Sequence, residues 1–240
     1  MMNRLKSFAL VGLVLWLPAS VLAQRSPDQV REAIEKAFKK EKITLQVDVQ
    51  GGNAVLTGRV RNVFAKNKAL EIALEQPEVE EVESNIEVAA AESDDKLGKE
   101  VVSELRKYGN FTIFDDAGAI IKDGNVVIMG FVTEPYKKTG MEERLHKILG
   151  IQEFDNQIQV LPNSMQDDRL RRALANRLYR DSMFSDFASM SHPPIRIIVQ
   201  RSRVLLTGAV NNQMMSQRAE SIIRQTPGVL SVENKLRIDH

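Results

Sequence analysis

Val55-Leu56-Thr57-Gly58 recurs as Val127-Ile128-Met129-Gly130 and again as Leu205-Leu206-Thr207-Gly208. Counting 21 residues forward from each glycine reaches Val79, Ile151 and Val229, and three more reach Val82, Phe154 and Val232. Each of these opens a similar string: Val82-Glu83-Ser84-Asn85-Ile86-Glu87-Val88, Phe154-Asp155-Asn156-Gln157-Ile158-Gln159-Val160 and Val232-Glu233-Asn234-Lys235-Leu236-Arg237-Ile238. Ungapped agreement of this kind, found three times, marks an internal repeat. The glycines stand 72 and 78 residues apart, so the chain divides into three small domains in tandem.

Each unit reads helix, strand, strand, helix, strand. The first helix shows apolar residues at helical spacing: Val30, Ile34, Ala37 and Phe38, then Leu97, Val101 and Leu105, then Leu170, Leu174 and Leu178. A short strand follows, as in Leu45, Val47 and Val49 alternating with Gln46 and Asp48. Gly51-Gly52-Asn53 and Asp123-Gly124-Asn125 predict tight hairpin turns. Arg201-Ser202-Arg203 leaves the third turn less defined. Asn62, Thr133 and Asn211 are candidate caps for the second helix. That helix presents Ala69, Ile72 and Ala73 in unit one and Met215, Ala219, Ile222 and Ile223 in unit three. Strand parity puts Leu56, Gly58 and Val60 on one face, with Ile128, Gly130, Val132 and Leu206, Gly208, Val210 as counterparts. The strand glycine is expected where a helix lies on the sheet, a β-bulge being the alternative. The fold class is α+β: tandem αββαβ units, each a small three-stranded mixed sheet with two helices on one face.

Outward from the repeats, Arg4 and Lys6 precede an apolar run from Phe8 to Leu17, and Pro18-Ala19-Ser20 leads into Val21-Leu22-Ala23. This is the pattern of a secretory signal peptide over residues 1–23. The run is shorter than the roughly 20 residues that cross a bilayer. Cleavage after Ala23 removes two of 33 basic residues and leaves 31 against 32 acidic, a net charge of −1. Export is therefore expected, to the periplasm if the host is Gram-negative. The domains are 24–92, 93–162 and 163–240, the last with an insertion at 181–194. The chain has no cysteine, so packing alone must hold an exported fold together.

The repeated features resemble the BON family, the bacterial OsmY and nodulation domain. The resemblance rests on the hairpins, the strands ending at Gly58, Gly130 and Gly208, the step Pro227-Gly228-Val229 and the closing strand from Val232 to Leu236. It covers roughly residues 27–240. Glu78 replaces the step glycine in unit one, Ser202 replaces the turn glycine in unit three, and Asp181 to Pro194 are extra. These motifs are structural, so they speak to fold rather than chemistry. What the resemblance implies is phospholipid binding or action at the bacterial envelope, with no catalytic motif.

The residues agree. There is no phosphate loop, GxGxxG, HExxH or serine elbow. Asp115-Asp116 and Asp94-Asp95 are adjacent pairs that point apart, and solvated loops are expected for both. His146, His192 and His240 lie far apart in sequence. His146 falls in the second helix of unit two as a half-buried polar residue, and His192 lies in an extended linker. No catalytic residue, metal site or cofactor is expected.

Charge is more informative. Residues 24–92 and 93–162 each carry a net −3, whereas residues 163–240 carry 12 basic and 7 acidic residues, a net +5, with 11 arginines. On the first helix of unit three, Arg169, Arg172 and Arg180 fall opposite the leucines, flanked by Arg171 and Arg177. Guanidinium groups capture phosphate bidentately, and surface cations attract anionic lipid. Met183, Phe184 and Phe187 follow and are candidates for insertion among headgroups. The alternative is a solvated basic face with the aromatics in the core. Nucleic acid is not an expected partner for an exported protein.

In unit two the outer sheet face carries Val127, Met129 and Phe131, where unit one has Val55, Thr57 and Arg59. An open face should be polar unless something covers it, and an apolar patch marks an interface. Docking of a neighbouring unit is expected there, an envelope protein being the other occupant. The leading expectation is a non-enzymatic periplasmic protein that binds anionic phospholipid and contributes to envelope integrity or stress tolerance. The rival is a protein-interaction or chaperone-like scaffold.

Overall fold

The computed structural model describes residues 25–190 and 192–239. The signal-peptide reading and His240 lie outside the described residues. Unit one comprises α1 (Pro27–Lys40), β1 (Gln46–Gln50), β2 (Asn53–Val60), α2 (Val63–Leu74) and β3 (Glu81–Val88). Unit two repeats the order as α3 (Asp94–Arg106), β4 (Asp116–Lys122), β5 (Asn125–Val132), α4 (Pro135–Leu145) and β6 (Glu153–Val160). Unit three has α5 (Met165–Arg180), a short 3-10 turn (Ser185–Ser189), β7 (Ile195–Gln200), β8 (Arg203–Val210) and α6 (Gln213–Arg224). Its last strand is broken into β9 (Ser231–Asn234) and β10 (Arg237–Ile238), both parallel to β8.

In every unit the hairpin strands are antiparallel and the last strand joins the middle one in parallel after the second helix. The fold is α+β, with three small mixed sheets that each pack against helices on one face. The inner row of the middle strand is Ala54, Leu56 and Val60 in β2, Val126, Ile128 and Val132 in β5, and Val204, Leu206 and Val210 in β8; all are buried. Against them lie Val30, Ile34 and Phe38 of α1, Leu97, Val101 and Leu105 of α3, and Leu170, Leu174 and Leu178 of α5. Burying each such side chain contributes roughly 1.5–3 kcal/mol.

The strand glycines do not mark helix contacts. Gly58, Gly130 and Gly208 have φ of 138°, 138° and 100°, a region that strongly favours glycine. A Cβ at Gly130 would strike the Asp116 carbonyl, and one at Gly208 the Pro194 carbonyl. The close neighbour is the backbone entering the first strand of the hairpin. The third hairpin turn also has a physical basis without glycine. Arg201 and Ser202 both take positive φ, 51° and 60°, as a two-residue hairpin turn requires. Their N–H groups donate to the Asp167 carboxylate at 2.8 and 2.9 Å. Asp94 holds the second turn in the same way, through Asp123 and Gly124 at 2.9 and 3.0 Å. It is a turn clamp rather than a solvated loop residue.

Asn62 caps α2 by accepting from Ala65 N–H at 3.0 Å, and Asn212, rather than Asn211, caps α6 through Met215. Thr133 does not cap α4, which starts at Pro135 after Glu134 with no side-chain cap. Thr133 instead donates to the buried Asp115 from its N–H and its hydroxyl.

Two joints link the units, and they differ. At the first, Phe64 N–H of α2 donates to the His146 carbonyl at the end of α4 at 3.0 Å, and Asn62 Nδ2 to the Lys147 carbonyl at 3.2 Å. Val63, the first residue of α2, is buried within the core of unit two. At the second, Ile197 N–H on the edge of β7 donates to the Ile113 carbonyl at 2.7 Å. Phe114 there packs against the core of unit three.

Candidate functional site

α5 runs from the clamped turn of unit three along the outside of the sheet, its leucines inward. Arg169, Arg172, Arg177 and Arg180 are exposed on its other side. Among the described residues none of the four pairs with a carboxylate, in contrast to Arg171 and Arg218. Arg171 is buried: it donates to the Val199 carbonyl at 2.7 Å and pairs with Asp168. It therefore anchors α5 to β7 instead of flanking the exposed row.

Phe184 corrects the expectation of headgroup insertion. Its side chain is fully buried in the core of unit three with Leu178 and Ile195. Phe187, half-buried, packs on the same core 6.2 Å from Phe184 between ring centroids, and Met183 is also half-buried. The insertion folds back on its own unit because an aromatic ring beside an exposed core edge gains more from burial than from water. Tyr179 adds to this seal: its hydroxyl donates to the Ile195 carbonyl at 3.0 Å, and burial pushes its pKa up to about 12. The apolar group exposed beside the arginines is instead Met165, at the start of α5.

Two grooves escaped the sequence reading. Between α5 and α6 a groove of about 380 Å³ is lined by Arg177, Arg180 and Arg218 with Asn176 and Asp181. The equivalent groove between α3 and α4, about 670 Å³, is lined by Lys99, Lys107, Arg144 and Lys147 with Glu100 and Glu104. Arg144 donates to Glu104 at 2.6 Å. A net charge of −3 for unit two hid this locally basic surface.

The outer face of unit two is open. Met129 is 37% exposed, and Ile120 on β4, which pairs with Val127 across the sheet, is 57% exposed; Val127 and Phe131 are half-buried. Among the described residues the joints between units use helix ends and a strand edge, and Met129 and Ile120 stay exposed.

Asp115 is buried, not solvated. It accepts from Lys137 Nζ and Thr112 Oγ1, both at 2.7 Å, and from Thr133 N–H at 2.8 Å. Burial pushes its carboxyl up, but these bonds together outweigh it and hold the pKa below the ordinary carboxylate value. His146 is buried at the first joint, its Nδ1 3.5 Å from Asn67 Nδ2 and its ring edge-on to Phe154. Burial lowers its pKa, against an opposing pull from Glu142. Among the described residues no group of three or more His, Asp or Glu side chains is placed to hold a metal ion, and no helix is long and apolar enough to cross a membrane.

The family model described as the BON domain matches residues 27–90 and 166–239, which are units one and three. This chain belongs to the BON domain family. No curated protein matches it. Among solved structures it is similar to the C-terminal domain of CdsD, a structural protein of the type III secretion system of Chlamydia trachomatis. That likeness has 17% identity over 87% of this chain and 96% of that chain, with a TM-score of 0.25. It is also similar to the periplasmic domain of the type III secretion inner membrane protein PrgH from S. typhimurium. There the identity is 11% over 85% of this chain and 99% of that one, with a TM-score of 0.22. The middle unit lies outside the BON match although it shares the element order and strand register of its neighbours. It departs from them at Glu134, which stands where α2 and α6 have a capping asparagine, and in the buried pair of Asp115 with Lys137.

Proposed function

We propose that this BON protein is a non-enzymatic periplasmic envelope protein whose third unit binds anionic phospholipid, contributing to envelope integrity or stress tolerance. One observation carries the reading: Arg169, Arg172, Arg177 and Arg180 are exposed along one helix with no carboxylate partner among the described residues. A guanidinium matches a phosphate bidentately, and each cation near an anionic surface contributes about 1 kcal/mol. Met165, exposed at the head of the helix, supplies apolar contact of the kind surface-bound helices use. The signal-like N-terminus supports export.

Co-sedimentation with zwitterionic and anionic vesicles tests it. Wild type should bind the anionic vesicles alone, and rising salt should release it. Replacing Arg169, Arg172 and Arg180 with glutamine should weaken binding by about 3 kcal/mol. Unchanged binding of that variant would exclude the arginine face. The rival reading, a periplasmic interaction or chaperone-like scaffold, is favoured by the uncovered Ile120 and Met129. Capture through that face would persist in salt.

A further inference from the structure

The first joint is built from parts that every unit owns. Its donor half is the start of the second helix, where Phe64 N–H, one of the groups a helix start leaves without an internal partner, donates to the His146 carbonyl at 3.0 Å. The Phe64 ring lies 5.4 Å from Lys147 Nζ. Its acceptor half is the end of the second helix, formed by His146 and Lys147. In the repeat register Phe64 corresponds to Tyr136 and Met214, and His146 corresponds to Leu74 and Arg224. Met214 is 68% exposed in the first turn of α6, and Leu74 is 55% exposed at the end of α2. Unit three thus displays an unused donor half, and unit one an unused acceptor half with an apolar side chain at its centre.

We propose that Met214 of one copy docks on Leu74 of a second copy, repeating the first joint between molecules, head to tail. Charge supports this polarity. The end of α2 carries exposed Glu71 and Glu75 and no basic residue in its last turn. The start of α6 has no acidic residue in its first turn, and Arg218, one turn on, is already paired with Asp181. Unit one is −3 and unit three +5. Gln213 stands where Val63 plugs the intrachain joint, so the contact between copies is weaker and reversible. A heterologous contact of this kind propagates from copy to copy. Tyr136, also exposed, is the internal control, because α4 starts on the acidic cap Glu134, which the Glu71 and Glu75 end of α2 repels.

The chain has no cysteine, so single engineered thiols report on one site each. Oxidising a mixture of M214C and L74C should give covalent dimer well above either variant alone or a mixture of Y136C and L74C. By sedimentation equilibrium, M214E should weaken self-association at least about tenfold, the loss typical of removing a central interface anchor, whereas Y136E should leave it unchanged. Both sites are exposed, and circular dichroism checks that the fold is intact. A wild type that stays monomeric at every concentration overturns the proposal. So does self-association indifferent to M214E, or dimer no richer in the M214C and L74C mixture than in the controls.

Discussion

Lys137 Nζ lies 2.7 Å from Asp115 Oδ2, and both side chains are almost wholly buried. The pair ties the loop before β4 to the first turn of α4, and that loop presents the Ile113 carbonyl to unit three. Removing one partner strands the other charge in the interior. Asp115→Ala should therefore cost about 3–5 kcal/mol and loosen the second joint, read by denaturant unfolding and by faster exchange of the Ile197 amide. Replacing both residues with apolar ones should cost much less.

Acid should act on the same pair. The Asp115 pKa is lower folded than unfolded, so its contribution is fully present above the unfolded value, about 3.9, and is lost as pH falls through the folded value. A shallower acid dependence in the apolar-pair variant is the expected result.

His146 sets a different window. Its folded pKa is lowered by burial, so neutral imidazole is favoured in the joint. The destabilisation is absent well above about pH 6.5, the unfolded value. It grows as pH falls below that value and levels off beneath the folded pKa. His146→Gln should flatten the dependence, measured as exchange of the Phe64 amide against pH.

Val63 offers a test of coupling between units. Burying a valine side chain contributes roughly 1.5–3 kcal/mol, and here the benefit falls to a neighbouring domain. Val63→Ala in unit one should lower the stability of unit two by about 1–2 kcal/mol, seen as faster exchange at Val101 and Ile128.

The strand glycines should be far less tolerant than the turn glycines. Gly208→Ala meets both a positive φ and the Pro194 carbonyl, so it should cost well over about 1 kcal/mol. Gly51→Ala, which meets nothing within 4 Å, should cost about 1 kcal/mol from its φ alone. Thermal melts of the two variants would separate them.

The element order, the inward rows and the helix faces were legible because period and burial coincide: the buried Leu56, Ile128 and Leu206 alternate with half-buried or exposed neighbours. What escaped the sequence depends on contacts distant along the chain. Nothing near Arg201-Ser202 announces that Asp167 will clamp its turn. Nothing near Asp115 announces Lys137, 22 residues on. Phe184 was misplaced because an aromatic after a basic helix has the same local pattern whether it turns outward or back. The arginine row was legible, since four exposed guanidiniums need only a helical wheel, but Arg171 on the same helix turned inward to a carbonyl of β7.

The seating of Val63 in the neighbouring core also bears on how such an array can change over generations. Duplicated domains begin as interchangeable copies, free to be gained or lost singly. Once the second helix of unit one completes the interior of unit two, deleting unit one leaves a hole in the survivor. The first two copies have become a single heritable module, and drift in either is constrained by the packing of both.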